Sequence, residues 1–597
     1  MNTKFVLILI AIQFAIPKLY ADDTELVPVG FATRDITPKQ PLRLSGYGAR
    51  TDVSTGVRDP LSVRAMAIGD EDNICVMVSV EGIAVLASQT ERLLEAINKQ
   101  HALERSRLVL CSTHSHTAPQ IVGGLTNLFR VLPSEEQNDA LRKYRDFVHD
   151  QCVAAANEAI ARRRPCKLSV GTGKAGFAAH RRVIKDGTWT GFGVTPDGPT
   201  DRRVRVLVVR DANDKLSGAV FQYACHCTTM GPAFNEVTGD WAGIAAAELE
   251  ELHKGATFLP IIGCGADANP EPRDSYEIAV KHGHEMAHAV DGVVRGKALQ
   301  PINTSPKVSF GYAGLSAELP SRKQLDAWRE DPDANRARWA RKLLETWSEK
   351  GRLPESHPAP IHTWTFGDQL AWIFLGVEVV VQYQIRLEEE LSRFEDVWVA
   401  AYTDDVFAYI AAENMRSAGG YEVDYSMVYY SQPGRWQAGT EDLLVRRVHE
   451  ILDVSTQEEL EKSPEHSMAC MRLPDGFEIE LVAMEPLISD PVNLAFAADG
   501  SVWVVEMGDY PLGKNGGRVK CLTDSDGDGQ LDTADLFLDG LEYPTSVLPW
   551  RDGAIVIAAP DIFFARDTNG DGIADERRVL LTGVGHANPQ HRASGFD

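Results

Sequence analysis

Between residues 27 and 452, short apolar runs alternate with stretches in which apolar residues recur every three or four positions. Residues 74–80, 108–111, 204–209, 218–223 and 371–375 are apolar runs of strand length, bounded by polar or turn-forming residues. Residues 90–100, 139–163, 277–294 and 323–350 carry the helical spacing that gathers apolar side chains on one face. Strands and helices that alternate in this way predict a mixed α/β domain with helices outside the sheets. Its length calls for layered sheets rather than one small core.

The pattern changes after a polar stretch at 456–464. Residues 477–483, 502–506 and 554–559 read as strands, with Gly, Pro and Asp between them and no helical spacing, so the final segment is expected to be all-β. It also contains a repeat. The spelling from Asp524 through Gly529 to Asp532 returns from Asp567 through Gly572 to Asp575, 43 residues later, the spacing of successive propeller blades. The expected organisation is an α/β domain at 27–455, a linker at 456–472 and an all-β, partial propeller-like module at 473–597.

The start of the chain is different again. Lys4 precedes an apolar run at 5–16, and Ala21 precedes Asp22. A run this short does not span a bilayer as a helix, and a small residue at position 21 suits cleavage after it. Residues 1–21 therefore read as a signal peptide, with the mature protein secreted or periplasmic and without an integral membrane span.

Composition narrows the partners. The 597 residues are 44% hydrophobic and 24% charged, the balance of a soluble globular chain. Acidic residues outnumber basic ones 85 to 60, a formal charge of −25, which argues against nucleic acid as a partner. Nine cysteines in a chain of this size do not make a disulfide scaffold. Cys225 and Cys227 flank His226 as candidate zinc ligands, but with one residue between them they are expected on a strand, facing the same side.

Chemistry concentrates at strand ends. His114 and His116 directly follow the run at 108–111, and His226 follows the run at 218–223. Glu378 follows the run at 371–375 across a glycine turn expected to expose its carboxylate. A fourth island is Gly419-Gly420-Tyr421-Glu422. Neutral or anionic ligands from separate strand ends, with one position left open, are what a catalytic zinc needs. Such a zinc activates water and polarises a carbonyl for hydrolysis of an amide. The other reading is that these histidines are structural and that the protein is a non-catalytic surface- or carbohydrate-binding protein.

At these residues the chain resembles the neutral/alkaline, non-lysosomal ceramidases, zinc amidohydrolases that cleave N-acylsphingosine. The resemblance rests on Phe31-Ala-Thr-Arg-Asp-Ile-Thr-Pro38, the THSHTAP segment at 113–119, the His226 island, Gly239-Asp-Trp-Ala-Gly243, Gly263-Cys-Gly-Ala-Asp-Ala-Asn-Pro270, Ala401-Tyr-Thr-Asp-Asp405 and the Tyr421 island. It implies zinc held by His114, His226, Glu378 and Tyr421, with His116 moving a proton, and an N-acyl lipid as substrate. It also implies that Arg181 or Arg182 holds the substrate or its developing oxyanion. Ala268 stands where these enzymes carry a serine beside the metal, which favours attack by zinc-activated water over a mechanism that needs that hydroxyl. Asp267, next to it, either orients the water or caps a turn.

Two further motifs compete for attention. His284-Glu285-Met-Ala-His288 spells HExxH, a zinc-peptidase signature. The histidines share a stripe with Glu277, Lys281 and Asp291, opposite Ala279, Met286, Ala287, Val290 and Val294, so they are expected on the solvated face. In the C-terminal module, Asp524, Asp526, Asp528 and Asp532, and then Asp567, Asn569, Asp571 and Asp575, have the spacing of calcium ligands around a glycine turn. This module resembles the start of propeller-type membrane-bound dehydrogenase domains through Glu485-Pro-Leu, Val505-Glu-Met-Gly-Asp-Tyr-Pro511 and Asn588-Pro-Gln-His591. A quinone-dependent dehydrogenase fragment is the corresponding alternative function.

Overall fold

A computed structural model describes residues 26–120, 123–453, 468, 477, 479–508, 516–584 and 593–596. The leader at 1–21, nearly all of the expected linker and the segment 588–591 lie outside the described residues. The chain divides into two compact units, 1–461 and 462–597.

The first unit is built on a nine-stranded sheet. Its order runs Thr257–Ile262, Leu216–Tyr223, Arg203–Asp211, Arg164–Lys174, Val27–Asp35, Ser62–Ile68, Cys75–Val80, Leu108–Ser112, with Gln300–Ile302 pairing the strand Arg164–Lys174. A second sheet runs Asp396–Ala400, Leu370–Leu375, Ser356–Phe366, Lys307–Glu318, Arg435–Trp436. Period-two alternation explains how the layers stack. Val76, Val78, Leu108 and Leu110 point into one core, and Cys75, Met77, Val109 and Cys111 into another. In the second sheet Ala371, Ile373 and Leu375 join the first core, while Leu370, Trp372 and Phe374 join the second. That second core includes side chains of both sheets, with Trp364, Trp372 and Trp398 fully buried, so the sheets pack face to face. Helices cover the outer faces: Glu135–Ala161 lies on the first sheet and Thr440–Asp453 on the second.

The continuous apolar runs are thus strands buried on both faces. One predicted helix differs. The spacing at 323–350 runs through Pro332, and the structure has two helices there, Arg322–Trp328 and Ala334–Lys350. Proline has no N–H to continue the first helix. Asp333 then caps the second by accepting from the N–H groups of Asn335 and Arg336.

Among its described residues the second unit contains two four-stranded antiparallel sheets, each in sequence order. The first comprises Pro491–Phe496, Val502–Met507, Gly517–Thr523 and Thr533–Leu541, the second Pro544–Trp550, Gly553–Ala558, Asp561–Arg566 and Glu576–Thr582. The strand expected at 477–483 is absent among the described residues there. Each acidic loop joins the third and fourth strands of its sheet, which accounts for the repeat. Gly527, Gly529, Gly570 and Gly572 all adopt positive φ, where a side chain would be strained.

Candidate metal centre

Three loops after strand ends converge on one point. The backbone bridge between Ser115 and Cys227 sets the first histidine loop beside the second. The short parallel ladder of Glu378–Val379 with Tyr409–Ile410 places Glu378 directly opposite Tyr409. Glu378 is fully buried, so the glycine turn before it does not expose the carboxylate. That turn folds inward because Gly376 packs on Pro360, where any Cβ would lie 2.4 Å from the proline ring.

The imidazole nitrogens are sorted by their backbone partners. His114 Nδ1 lies 2.6 Å from the Ile83 carbonyl oxygen, and His226 Nδ1 lies 2.7 Å from that of Gly265. A carbonyl accepts only, so each Nδ1 carries the proton and each Nε2 keeps a lone pair. Both Nε2 atoms lie 3.3 Å from Glu378 Oε2, and His116 Nε2 is 3.2 Å from His114 Nε2. The Tyr409 hydroxyl is 3.1 Å from His226 Nε2, and the Tyr430 hydroxyl donates to Glu378 Oε1.

Burial, reinforced by neighbouring imidazoles and Arg181, favours the neutral ring at all three histidines. His114 is lowered to about 4, His226 falls below its ordinary value and His116 well below it. Burial opposes ionisation of Glu378 too, but the histidines and Tyr430 outweigh it and hold the carboxyl at about 2. Glu378 Oε2 is buried with no hydrogen-bond donor. A buried carboxylate oxygen without a donor is costly in a folded protein unless a cation meets it. Neutral Nε2 donors and this anionic oxygen match the preference of zinc for nitrogen and carboxylate ligands.

The remaining candidates are distributed differently. Arg181 Nη1 is 3.3 Å from both His226 Nε2 and Asn269 Oδ1, beside the cluster. Arg182 turns away, donating to Glu422 Oε2 and, at 2.6 Å, to the Gly419 carbonyl. Glu422, between the two arginines, also accepts from Arg181 Nε at 3.0 Å. The Asp267 carboxylate accepts from the Val381 N–H at 3.0 Å, and its other oxygen lies 3.4 Å from His180 Nδ1, so it holds the fold together here instead of facing the cluster. Tyr421 meets the site through its ring, 5.3 Å from that of Tyr409, while the hydroxyls that reach the ligand set belong to Tyr409 and Tyr430. Neither tyrosine stands out in sequence. Only the register opposite Glu378 marks Tyr409.

Cys225 and Cys227 are buried free thiols in the apolar core. His284 and His288 are exposed on the helix Tyr276–Arg295, and His284 pairs with Glu248. Glu285 accepts from the Gly176 N–H at 2.5 Å, so HExxH here is a surface pattern.

Behind the site, the loop after Asp396–Ala400 passes through Tyr402 and Asp404, both at positive φ. Asp404 anchors it: Oδ2 is 2.9 Å from His362 Nε2, and Oδ1 is 3.3 Å from Arg105 Nη2 and 3.1 Å from the Leu110 N–H. Burial opposes ionisation of Asp404, but Arg105 and His362 prevail and lower its pKa. A carboxyl depressed in the folded state stabilises above its unfolded value of about 3.9 and loses that contribution as pH falls through the lower folded value. Urea titrations should therefore show Asp404→Asn far less stable than wild type at pH 7, with the gap closing as pH falls below the unfolded value and through the lower folded one. A gap independent of pH would show that the charge of Asp404 is not what stabilises the loop.

Residues 28–262 match the family "Neutral/alkaline non-lysosomal ceramidase, N-terminal". These residues of the first unit are similar to that family. His114, His116, Arg181 and His226 fall inside the matched residues, and Glu378, Tyr409 and Tyr421 lie beyond them. Residues 463–597 match a family described as "Domain of unknown function (DUF7133)". No curated protein matches the chain. Among solved structures, neutral ceramidase from Pseudomonas aeruginosa superposes with a TM-score of 0.56 at 16% identity, covering 91% of each chain. A structure titled "Ceramidase complexed with C2" gives a TM-score of 0.54 at 15% identity over 93% of each chain. At these identities the two structures share the fold.

Proposed function

We propose that the ceramidase-like unit is a zinc-dependent amidohydrolase that cleaves the amide bond of an N-acyl lipid, N-acylsphingosine or a close relative. The observation that carries this reading is Glu378 Oε2, buried without a donor and facing the Nε2 atoms of His114 and His226. Zinc held there supplies a Lewis acid for the amide carbonyl. Arg181, beside the cluster and fixed by Glu422, is placed to donate to an oxyanion as it develops. His116, less buried than His114 and His226 and 3.2 Å from His114 Nε2, offers a neutral imidazole that can pass a proton. Ala268 supplies no hydroxyl; its carbonyl accepts from the His226 backbone N–H at 3.1 Å and lies 3.2 Å from His226 Nδ1, and so helps to hold that ring. The test is release of sphingosine and fatty acid from N-acylsphingosine by the zinc-loaded chain, lost on chelation and restored by zinc. A zinc-loaded chain that cleaves no N-acyl lipid would overturn the reading.

Tyr409 is the proposed fourth ligand in place of Tyr421, because its hydroxyl is the one beside His226 Nε2. Tyr409→Phe should weaken zinc binding about 10- to 100-fold in a chelator competition, and Tyr421→Phe much less. The opposite order would restore Tyr421 to the ligand set.

We also propose that the first acidic loop binds calcium. Asp524, Asp526 and Asp528 each offer a side-chain oxygen, all within 4.8 Å of one another. Asp532 accepts instead from Ser525, and Asp575 from Thr568, so these two close their loops. In the second loop Asp567, Asn569 and Asp571 repeat the turn geometry of the first. Calcium should raise the unfolding midpoint of the full chain, and Asp524→Asn with Asp526→Asn should abolish the rise; an unchanged midpoint in wild type would remove calcium from the account.

A further inference from the structure

The strands Ala178–Lys185 and Thr188–Thr195 form a hairpin whose second strand is the outer strand of a three-stranded sheet, tied near its start by the Trp189 N–H, which donates to the Ala418 carbonyl at 2.9 Å. That edge strand has no charged residue, in a chain of net charge −25. Soluble proteins blunt such edges with charge. Here the hairpin instead exposes large apolar side chains: Ile184 is 44% exposed, Phe192 51% and Val194 48%. Glycines flank Phe192 on both sides, and Trp189 packs 5.6 Å from it.

The exposed patch runs continuously into the metal centre. The Phe192 ring is 5.2 Å from that of Tyr421 and 4.9 Å from the guanidinium carbon of Arg181. A molecule drawn along this hairpin from an apolar phase therefore arrives at Arg181 and His226. We propose that the hairpin docks the protein on a lipid surface, inserting Ile184, Phe192 and Val194 among the acyl chains so that an N-acyl lipid reaches the cluster without crossing water. An edge strand without charge, joined through a turn in which exposed Lys185 and Asp186 offset one another, fits a neutral or zwitterionic surface, where aromatic and aliphatic side chains partition and no basic patch is required. The use of this surface for catalysis rests on the hydrolase reading; the docking itself does not.

The experiment uses full-length His226→Ala protein, so that turnover plays no part, and phosphatidylcholine vesicles in a flotation assay. The parent should float with the vesicles, and adding Ile184→Ser and Val194→Ser should cut the bound fraction about tenfold, as expected for losing two partly inserted side chains. Equal urea midpoints would confirm that both proteins are folded. In the otherwise wild-type protein the same two changes should leave cleavage of a water-soluble short-chain N-acyl amide intact and slow cleavage of the vesicle-borne lipid. No flotation of the parent, or equal flotation of parent and variant, would overturn the proposal. So would a dimer that dissociates when Ile184 and Val194 are changed, because the edge would then pair with a second copy. Flotation by a wild-type protein that cleaves neither substrate would support docking and overturn the hydrolase reading.

Discussion

His226→Ala is expected to reduce bound zinc from about one per chain to below about a tenth and to lower amide hydrolysis about a thousandfold or more. His226 lies at the centre of the constellation. Its Nδ1 is tied to the Gly265 carbonyl, and its Nε2 meets Glu378, Tyr409 and Arg181. Alanine removes a neutral donor and leaves Glu378 and Arg181 facing a hole in a fully buried site. His288→Ala is the matched control, since His288 is exposed on its helix. It should keep both zinc and activity. Zinc measured by mass spectrometry of purified protein, alongside hydrolysis, separates the two sites: loss at His288 with retention at His226 would move the metal to the helical motif and the substrate class to peptides.

Glu422→Gln should have the second-largest effect, and a different profile. Glu422 is buried between two guanidinium groups, bonded to Arg181 at 3.0 Å and to Arg182. Burial disfavours its charge, yet Arg181 and Arg182 hold its pKa below the ordinary value. Removing the carboxylate leaves two buried cations without their anion, a loss of about 3–5 kcal/mol for a buried pair that loses one partner. Arg181 also loses the contact that aims it at the cluster, so the catalytic rate should fall while zinc content stays near that of wild type. A urea titration and a zinc measurement on the same preparation test this. A variant as stable and as active as wild type would show that Arg181 is placed by its aromatic neighbours alone.

The parts of the fold that were legible in sequence are those whose signal is local. The runs before His114, His226 and Glu378 are strands because both of their faces are buried, which leaves unbroken apolar text. Pro332 broke a spacing that otherwise read as one helix, and there the missing N–H outweighed the hydrophobic period. The segment 477–483 has strand-like composition but forms no strand among its described residues, where the Val482 carbonyl accepts from the Leu531 N–H at 2.9 Å. Composition favours extended backbone and does not supply a partner strand.

The site shows the same division. His114, His116 and His226 stand out because histidine directly after a buried strand is chemically conspicuous. Tyr409 and Tyr430 do not stand out, since tyrosines are common in cores, and Glu422 was visible only as part of the Tyr421 island. Arg181 and Arg182 are adjacent in the chain and were equivalent in sequence. Alternation on the strand and the position of Glu422 set one beside the cluster and turned the other toward Gly419.

The amino-acid sequence by itself determined the layered α/β unit, the all-β second unit and the repeated acidic turns, because each follows from periodicity or from residues close together in the chain. Tertiary structure decided which hydroxyl meets the histidines, which arginine faces them, that Asp267 serves the fold and that HExxH lies at the surface. Those outcomes depend on register between strands far apart in sequence, where Glu378 lies opposite Tyr409. A shift of one residue in that register would turn the side chains to the other face.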